Sequence, residues 1–299
     1  MDQPLGVDLS FSRYVAAKRR GSTTEDAEGL APYAFSGDRR YLGYMKRVKP
    51  VTLAVEATVR MWKNFQKNEL LGNAVRVSPT QFPDVDKLVR RSAQRLNIAP
   101  PTVYIHQALG SLNAQTYGTD DDAFIMINSA MIDRLDEQEL LFVIGHECGH
   151  IHNRHVVFST ATYYLTNMAS LFVRWIVTPA ILALNTWSRR AEVTSDRAGL
   201  ICCGDIDPAV RTMVKLALGS SKLMEQVNVE EFVSQLKEVK EGIGRVNELN
   251  QTHPYIPKRV AALRLFAESE YYKQTVLGVQ GGLALTDVDA KVAEILSVT

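Results

Sequence analysis

The feature that most constrains this chain is a histidine pair on an apolar helix, in the stretch "LFVIGHECGHIHNRH" from Leu141 to His155. His146 and His150 are four residues apart, so a helix places both on one face with Glu147 beside them. Such polar groups are costly on an apolar helix unless a cation offsets them. Two imidazoles at this spacing fit adjacent corners of a tetrahedral Zn²⁺ site, with Zn–N distances of about 2.0–2.1 Å. The motif therefore predicts one catalytic zinc ion per chain, with Glu147 as the base that deprotonates a water.

The histidines that follow the motif do not supply an obvious third ligand. On a continued helix, His152 and His155 would point roughly 200° and 140° away from His150. We therefore expect them to face solvent or to cap the helix end. The third histidine of the metzincin motif is also missing. The glycine position of that motif holds Asn153 here, and its histidine position holds Val156.

A later segment, "NTWSRRAEVTSDRAGL", offers carboxylates instead. Glu192 and Asp196 are four residues apart, and like charges at that spacing repel by a few tenths of a kcal/mol, about 0.2–0.5, unless a cation offsets them. The simpler interpretation is a solvated helix face on which Arg189 pairs with Glu192. Beside an incomplete two-histidine site, we favour Glu192 as the third ligand and Asp196 as the group that orients a liganding histidine.

Hydrophobic periodicity predicts a small sheet flanked by many helices. The stretches "NAVRV", "TVYIHQ" and "AFIMIN" have strand patterns, and "LGSLNAQTYGTDDD" between the last two is polar but compatible with a strand. Helical patterns occur from Pro50 to Leu71, after Pro83, and almost throughout the chain beyond residue 185. These patterns predict a mostly helical α+β protein with a small mixed β-sheet.

Composition indicates which partners and which cellular compartment to expect. The net charge of +1 provides no basic field for phosphates, so nucleic acid is not an expected partner. Three cysteines, two of them adjacent, do not form the pattern of a disulfide framework. The first residues lack the continuous apolar core of a secretory signal. We therefore predict a cytoplasmic protein, with a peripheral position at a membrane as the alternative.

The segment 156–187 bears on membrane association. It contains an uncharged stretch, "VVFSTATYYLTNMASLFV", that is long enough for one marginal span. Phe158, Ala161 and Leu165 recur at helical spacing while polar residues occupy the other faces, which indicates a single apolar stripe. We expect this stripe to be buried against the protein or a second copy in a homo-oligomer; contact with a bilayer is less favoured.

Three motifs in order resemble those of the gluzincin metallopeptidases of family forty-eight, which includes CAAX-prenyl endopeptidases, HtpX proteases and minigluzincins. They are "HECGH", "EVTSD" and "THPYIPKR". The resemblance covers roughly residues 74–267 and implies a zincin-like catalytic domain built around the HExxH helix. It leaves an N-terminal extension, residues 1–73, with an amphipathic helix, and a C-terminal helical tail, residues 268–299.

The resemblance also implies roles for individual residues. His146, His150 and Glu192 would bind zinc, Glu147 would be the catalytic base and acid, and Asp196 would support the ligands. His253 would be a catalytic residue that helps stabilise the oxyanion. Asn113 and Ala114 would pair with the substrate backbone from an edge strand, and Arg259 would brace the substrate-binding segment.

These roles predict a zinc-dependent metalloendopeptidase that hydrolyses extended or unfolded polypeptides. The alternative is a non-proteolytic, zinc-stabilised scaffold that binds a partner protein. The glutamate between the histidines favours the enzyme, because a purely structural zinc has no use for a positioned base.

Overall fold

The computed structural model describes residues 30–45, 47–61, 72–107, 112–120, 122–168, 171–224, 226–235 and 253–297. The helices are α1 Ser36–Met45, α2 Lys49–Met61, α3 Pro83–Leu96, α4 Ser129–Arg134, α5 Glu137–His152, α6 Val156–Met168, α7 Leu171–Cys203, α8 Ile206–Leu218, α9 Ser221–Met224, α10 Val229–Ser234, α11 Ile256–Ala267, α12 Glu270–Tyr272 and α13 Leu285–Leu296. The strands are β1 Ala74–Arg76, β2 Thr102–His106, β3 Ala114–Thr119 and β4 Asp122–Asn128. The predicted α+β class, mostly helical with a small mixed sheet, is confirmed.

The four strands form one sheet in the order β1-β2-β4-β3. Strand β4 pairs in parallel with β2 and antiparallel with β3, and β1 pairs antiparallel with β2. Ile125 and Ile127 of β4 enter the main core, whereas Phe124 and Met126 pack on the other face. Strand β3 lies at one edge of the sheet as far as the structure describes it, on the side of helix α6, where Tyr117 contacts Tyr163.

Helix α5, which carries the two motif histidines, begins at a reciprocal cap. The side chain of Asp136 accepts from the Glu139 backbone N–H at 2.9 Å, and Glu139 Oε2 accepts from the Asp136 N–H at 2.9 Å. The Glu139 carboxylate is buried and also forms an ion pair with Lys215 Nζ of α8 at 2.7 Å. The start of the helix is thereby fixed against α8.

Helices α5 and α7 approach closely because glycines line their contact. A Cβ atom added at Gly145 would lie 2.4 Å from Cys202 Cβ, and one at Gly149 would lie 2.7 Å from Ala198 Cβ. Any larger side chain at either position would force the two helices apart. The glycines on either side of His146 therefore bring the carboxylates of α7 within reach of the histidines.

Segments outside residues 74–267 also enter the structure. Residues 30–35 are almost completely buried except at position 32, and the Tyr33 carbonyl accepts from Arg197 of α7 at 3.1 Å. Arg197 is buried as well and pairs with Asp289 of α13 at 2.6 Å. The predicted division of the chain at residues 73 and 267 stays a prediction, and residues 1–29, 62–71 and 298–299 lie outside the described residues.

The segment predicted to carry an apolar stripe forms α6 and the first half of α7. Phe158 and Ala161 are buried, and Leu165 packs against the hydrophobic cluster that contains Phe158. The side chains of residues 166–177 lie outside the described part. Among the described residues, no helix combines the length and the apolar character needed to cross a bilayer.

Candidate active site

The side chains of His146, His150 and Glu192 converge in the structure. The two Nε2 atoms lie 3.2 Å apart, Glu192 Oε2 lies 3.5 Å from His146 Nε2, and Glu192 Oε1 lies 3.4 Å from His150 Nε2. All three residues are buried. Within the described part of the chain, they form the only group of three or more His, Cys, Asp or Glu side chains with metal-ligand spacing. The arrangement can hold one metal ion.

Asp196 lies one turn after Glu192 on α7 and contacts the other nitrogen of His146. Its Oδ1 is 3.0 Å from His146 Nδ1. A carboxylate can only accept, so the Nδ1 carries the proton and the Nε2 lone pair is left for an ion. This is the contact that the predicted role of Asp196 requires, and the role itself stays a prediction.

Arg259 of α11 is the cation that accompanies the two carboxylates. It donates from Nε to Asp196 at 2.8 Å and from Nη2 at 2.5 Å, and its Nη1 lies 3.1 Å from Glu192 Oε2. Burial would raise the pKa of Asp196, but Arg259 and the hydrogen bond with His146 together lower that pKa. The predicted part of Arg259 in substrate binding stays a prediction; the contacts that the structure gives its guanidinium are to these carboxylates.

His253 stands at the rim of the site. Its Nδ1 lies 3.0 Å from Glu192 Oε2, and 60% of its side chain is exposed. Burial would raise the pKa of Glu192, but His253 and Arg259 together hold that pKa well below its usual range. Glu192 is therefore ionised as a ligand must be, whereas the oxyanion role predicted for His253 stays a prediction.

Glu147 is buried beside the histidines and is held by Thr116 of β3. The threonine Oγ1 donates to Glu147 Oε2 at 2.6 Å and also lies 3.3 Å from the Glu147 carbonyl oxygen. No sequence pattern points to Thr116 as a site residue. It belongs to no motif, and only the pairing of β3 with β4 places it against α5.

These residues line a cleft of about 590 Å³. Asn113 and Ala114 form one side of it at the start of β3, and the Asn113 carbonyl accepts from the Asn128 N–H at 3.0 Å. Apolar side chains of α4, α5 and α8 form much of the remaining wall, namely Met131, Phe142, Val143 and Leu216. The structure thus places the predicted substrate residues beside the ligands, and their contact with substrate stays a prediction.

The expectation that His152 and His155 face solvent or cap the helix is wrong. Both are buried, and His155 is 0% exposed. Helix α5 ends at His152, and Arg154 adopts a left-handed backbone with φ 57°, so helical angles do not extend to His155. His152 Nδ1 instead meets the Tyr33 hydroxyl at 3.0 Å. His155 Nδ1 meets His150 Nδ1 at 3.2 Å.

This chain is similar in sequence to known metallopeptidases. The sequence model of peptidase family M48 matches residues 79–267, more than half of the chain. The chain is 34% identical over 173 residues to the plastoglobule-localized metallopeptidase 48, chloroplastic, of Arabidopsis thaliana, a match of 56% of this chain and 50% of that protein. It is 26% identical over 217 residues to a protease HtpX homolog of Salinibacter ruber, covering 65% of this chain and 78% of the relative. The chain thus spans only half the length of the plastoglobule relative, and no solved structure matches it.

The comparison corrects the predicted location. One of the similar proteins is described by its name as chloroplastic and plastoglobule-localized, which contradicts the prediction of a cytoplasmic protein. That prediction rested on composition and on the absence of a signal-like apolar stretch. Neither observation specifies a compartment.

Proposed function

Since this chain belongs to peptidase family M48, we propose that it is a metallopeptidase, specifically a zinc-dependent endopeptidase that cleaves extended or unfolded polypeptides. The observation that carries the proposal is the convergence of His146, His150 and Glu192 directly beside Glu147. Three ligands with an adjacent carboxylate are the usual composition of a catalytic zinc site.

The spacing of the ligand atoms supports zinc as the ion. In a tetrahedral site with ligand distances of about 2.0–2.1 Å, neighbouring ligand atoms lie about 3.3–3.4 Å apart. His146 Nε2 and His150 Nε2 lie 3.2 Å apart, and they lie 3.5 and 3.4 Å from Oε2 and Oε1 of Glu192, respectively. One ligand atom from each residue lies within 4.8 Å of the others, which supports a small ion with nitrogen and oxygen ligands between them.

When bound, zinc would act as a Lewis acid that polarises the scissile carbonyl and lowers the pKa of the water bound to it. We assign proton transfer to Glu147: Thr116 occupies its Oε2, so its Oε1 takes the proton from the attacking water and passes it to the leaving amine. To His253, exposed at the rim, we assign donation of a hydrogen bond to the developing oxyanion. Arg259 keeps the carboxylates of Glu192 and Asp196 ionised throughout.

The edge strand supports an extended substrate. Strand β3 borders the cleft, and a polypeptide laid beside an edge strand gains backbone hydrogen bonds independently of its sequence. We assign this contact to the backbone around Asn113 and Ala114. An unfolded chain can adopt the required extended conformation along its length.

The test is a Glu147→Gln variant, which keeps the shape of the side chain and removes the base. We expect it to bind zinc with the affinity of the wild type and to lose cleavage of denatured casein by a factor of about 10³ or more. Unchanged cleavage would remove the role from Glu147. If the wild type bound zinc and gained thermal stability yet cut no peptide in a mixed library, the scaffold alternative would hold instead.

A further inference from the structure

His155 connects one zinc-site histidine to a buried carboxylate far along the chain. Its Nδ1 lies 3.2 Å from His150 Nδ1, and its Nε2 lies 2.9 Å from Asp38 Oδ2. Asp38 belongs to α1 and is 0% exposed, and it lies outside residues 79–267, the part that matches the family. An ionisable group this deeply buried needs partners that satisfy it.

Asp38 is held in place by helix α7. Trp187 Nε1 donates to its Oδ1 at 2.9 Å, and Thr194 Oγ1 donates to its Oδ2 at 2.7 Å. The Trp187 ring also packs edge-on against the ring of His155, with centroids 5.4 Å apart. The carboxylate and the imidazole are therefore fixed with respect to the helix that carries Glu192.

The hydrogen bonds define which nitrogen of each ring carries a proton. A carboxylate only accepts, so His155 Nε2 donates to Asp38 and the Nδ1 of the neutral ring accepts. His150 Nδ1 must then donate to His155, which leaves the His150 Nε2 lone pair facing Glu192. The opposite assignment would put a proton on the nitrogen that has to bind the metal.

We propose that His155 and Asp38 are positioning residues for His150, fixing its ring orientation and tautomer in the way predicted for Asp196 and His146. The inference rests on the proposed zinc site. It makes the segment that precedes the family match a part of the metal centre, because Asp38 comes from α1.

The experiment compares His155→Phe with His152→Phe in the 299-residue chain. Both variants replace a buried imidazole with a ring, but His152 contacts Tyr33 and not a proposed ligand. Zinc affinity is measured by competition with a chromophoric chelator, and thermal unfolding of the metal-free protein reports folding. We expect His155→Phe to bind zinc about 10–100-fold more weakly. We expect His152→Phe to remain within about threefold of the wild type, because no ligand loses a partner.

Asp38→Asn, alone and combined with His155→Phe in a double variant, tests whether Asp38 acts on His150 through His155. Because Asp38 acts through His155, the double variant should bind zinc no more weakly than His155→Phe alone. Additive losses, or a folded His155→Phe with wild-type affinity, would overturn the proposal. If His155→Phe does not fold, Asp38→Asn decides: a loss of affinity supports the connection, and wild-type affinity overturns it. Absence of zinc binding by the wild type would instead overturn the proposed function.

Discussion

A single methyl group at Gly145 should separate the two helices that form the metal site. In a Gly145→Ala variant, the new Cβ would lie 2.4 Å from Cys202 Cβ and 3.1 Å from Gly199 Cα. Carbon atoms in contact prefer separations of about 3.5–4.0 Å, so α5 and α7 would have to move apart by more than about 1 Å. Residue 145 directly precedes His146, and ligand atoms now 3.2–3.5 Å apart would lose their common centre.

We expect Gly145→Ala to lower the free energy of unfolding by about 1–3 kcal/mol through overpacking. Zinc affinity should fall at least tenfold, as when the support of a metal ligand is lost. Urea unfolding of the metal-free protein and chelator competition measure the two effects. Gly43→Ala is the matched control, since a Cβ there meets nothing within 4 Å and lies in a helix. The free energy of unfolding of Gly43→Ala should rise by no more than about 1 kcal/mol. Equal behaviour of the two variants, with zinc affinity unchanged, would refute the reasoning.

Two further substitutions address the groups around the ligands. Thr116→Val should lower kcat by about 10–100-fold, because the Glu147 carboxylate loses a hydrogen bond, and should leave zinc affinity unchanged. A wild-type kcat would show that Thr116 does not hold the base. Arg259→Met should destabilise the metal-free protein by about 3–5 kcal/mol near pH 7.5, as expected when one partner of a buried ion pair is removed. In the wild type, Glu192 and Asp196 have lowered pKa values, so their stabilisation is present above about pH 4 and is lost as the pH falls through the folded-state values. In the variant, Asp196 and Glu192 lose the guanidinium that offsets their burial, so both pKa values rise, less for Glu192 because His253 still contacts it. The loss measured by urea unfolding should therefore be smaller at pH 5, and a loss that does not depend on pH would contradict this account.

The parts of the site that follow from local spacing were accessible from the sequence. His146 and His150 share a helix face by their separation alone, and Glu192 and Asp196 do so on α7. The strand patterns likewise located β1, β2 and β4, because alternation of side chains is a local property.

The parts set by long-range packing were not accessible. Thr116 reaches Glu147 only through the pairing of β3 with β4, and Asp38 reaches His155 only because α1 packs on α7. The environment of His155 was mispredicted because helical geometry was extended past the end of α5. No periodicity in the sequence marks where a helix end turns back into the core.

The central claim is that His146, His150 and Glu192 bind one ion, and anomalous scattering tests it most directly. Crystals of the 299-residue chain with zinc, measured on both sides of the zinc absorption edge, should show one strong anomalous peak per chain. We predict that the peak lies about 2.0–2.2 Å from Nε2 of both histidines and from a Glu192 carboxylate oxygen. A peak elsewhere, or one bound by the histidines with Glu192 turned away, would contradict the account.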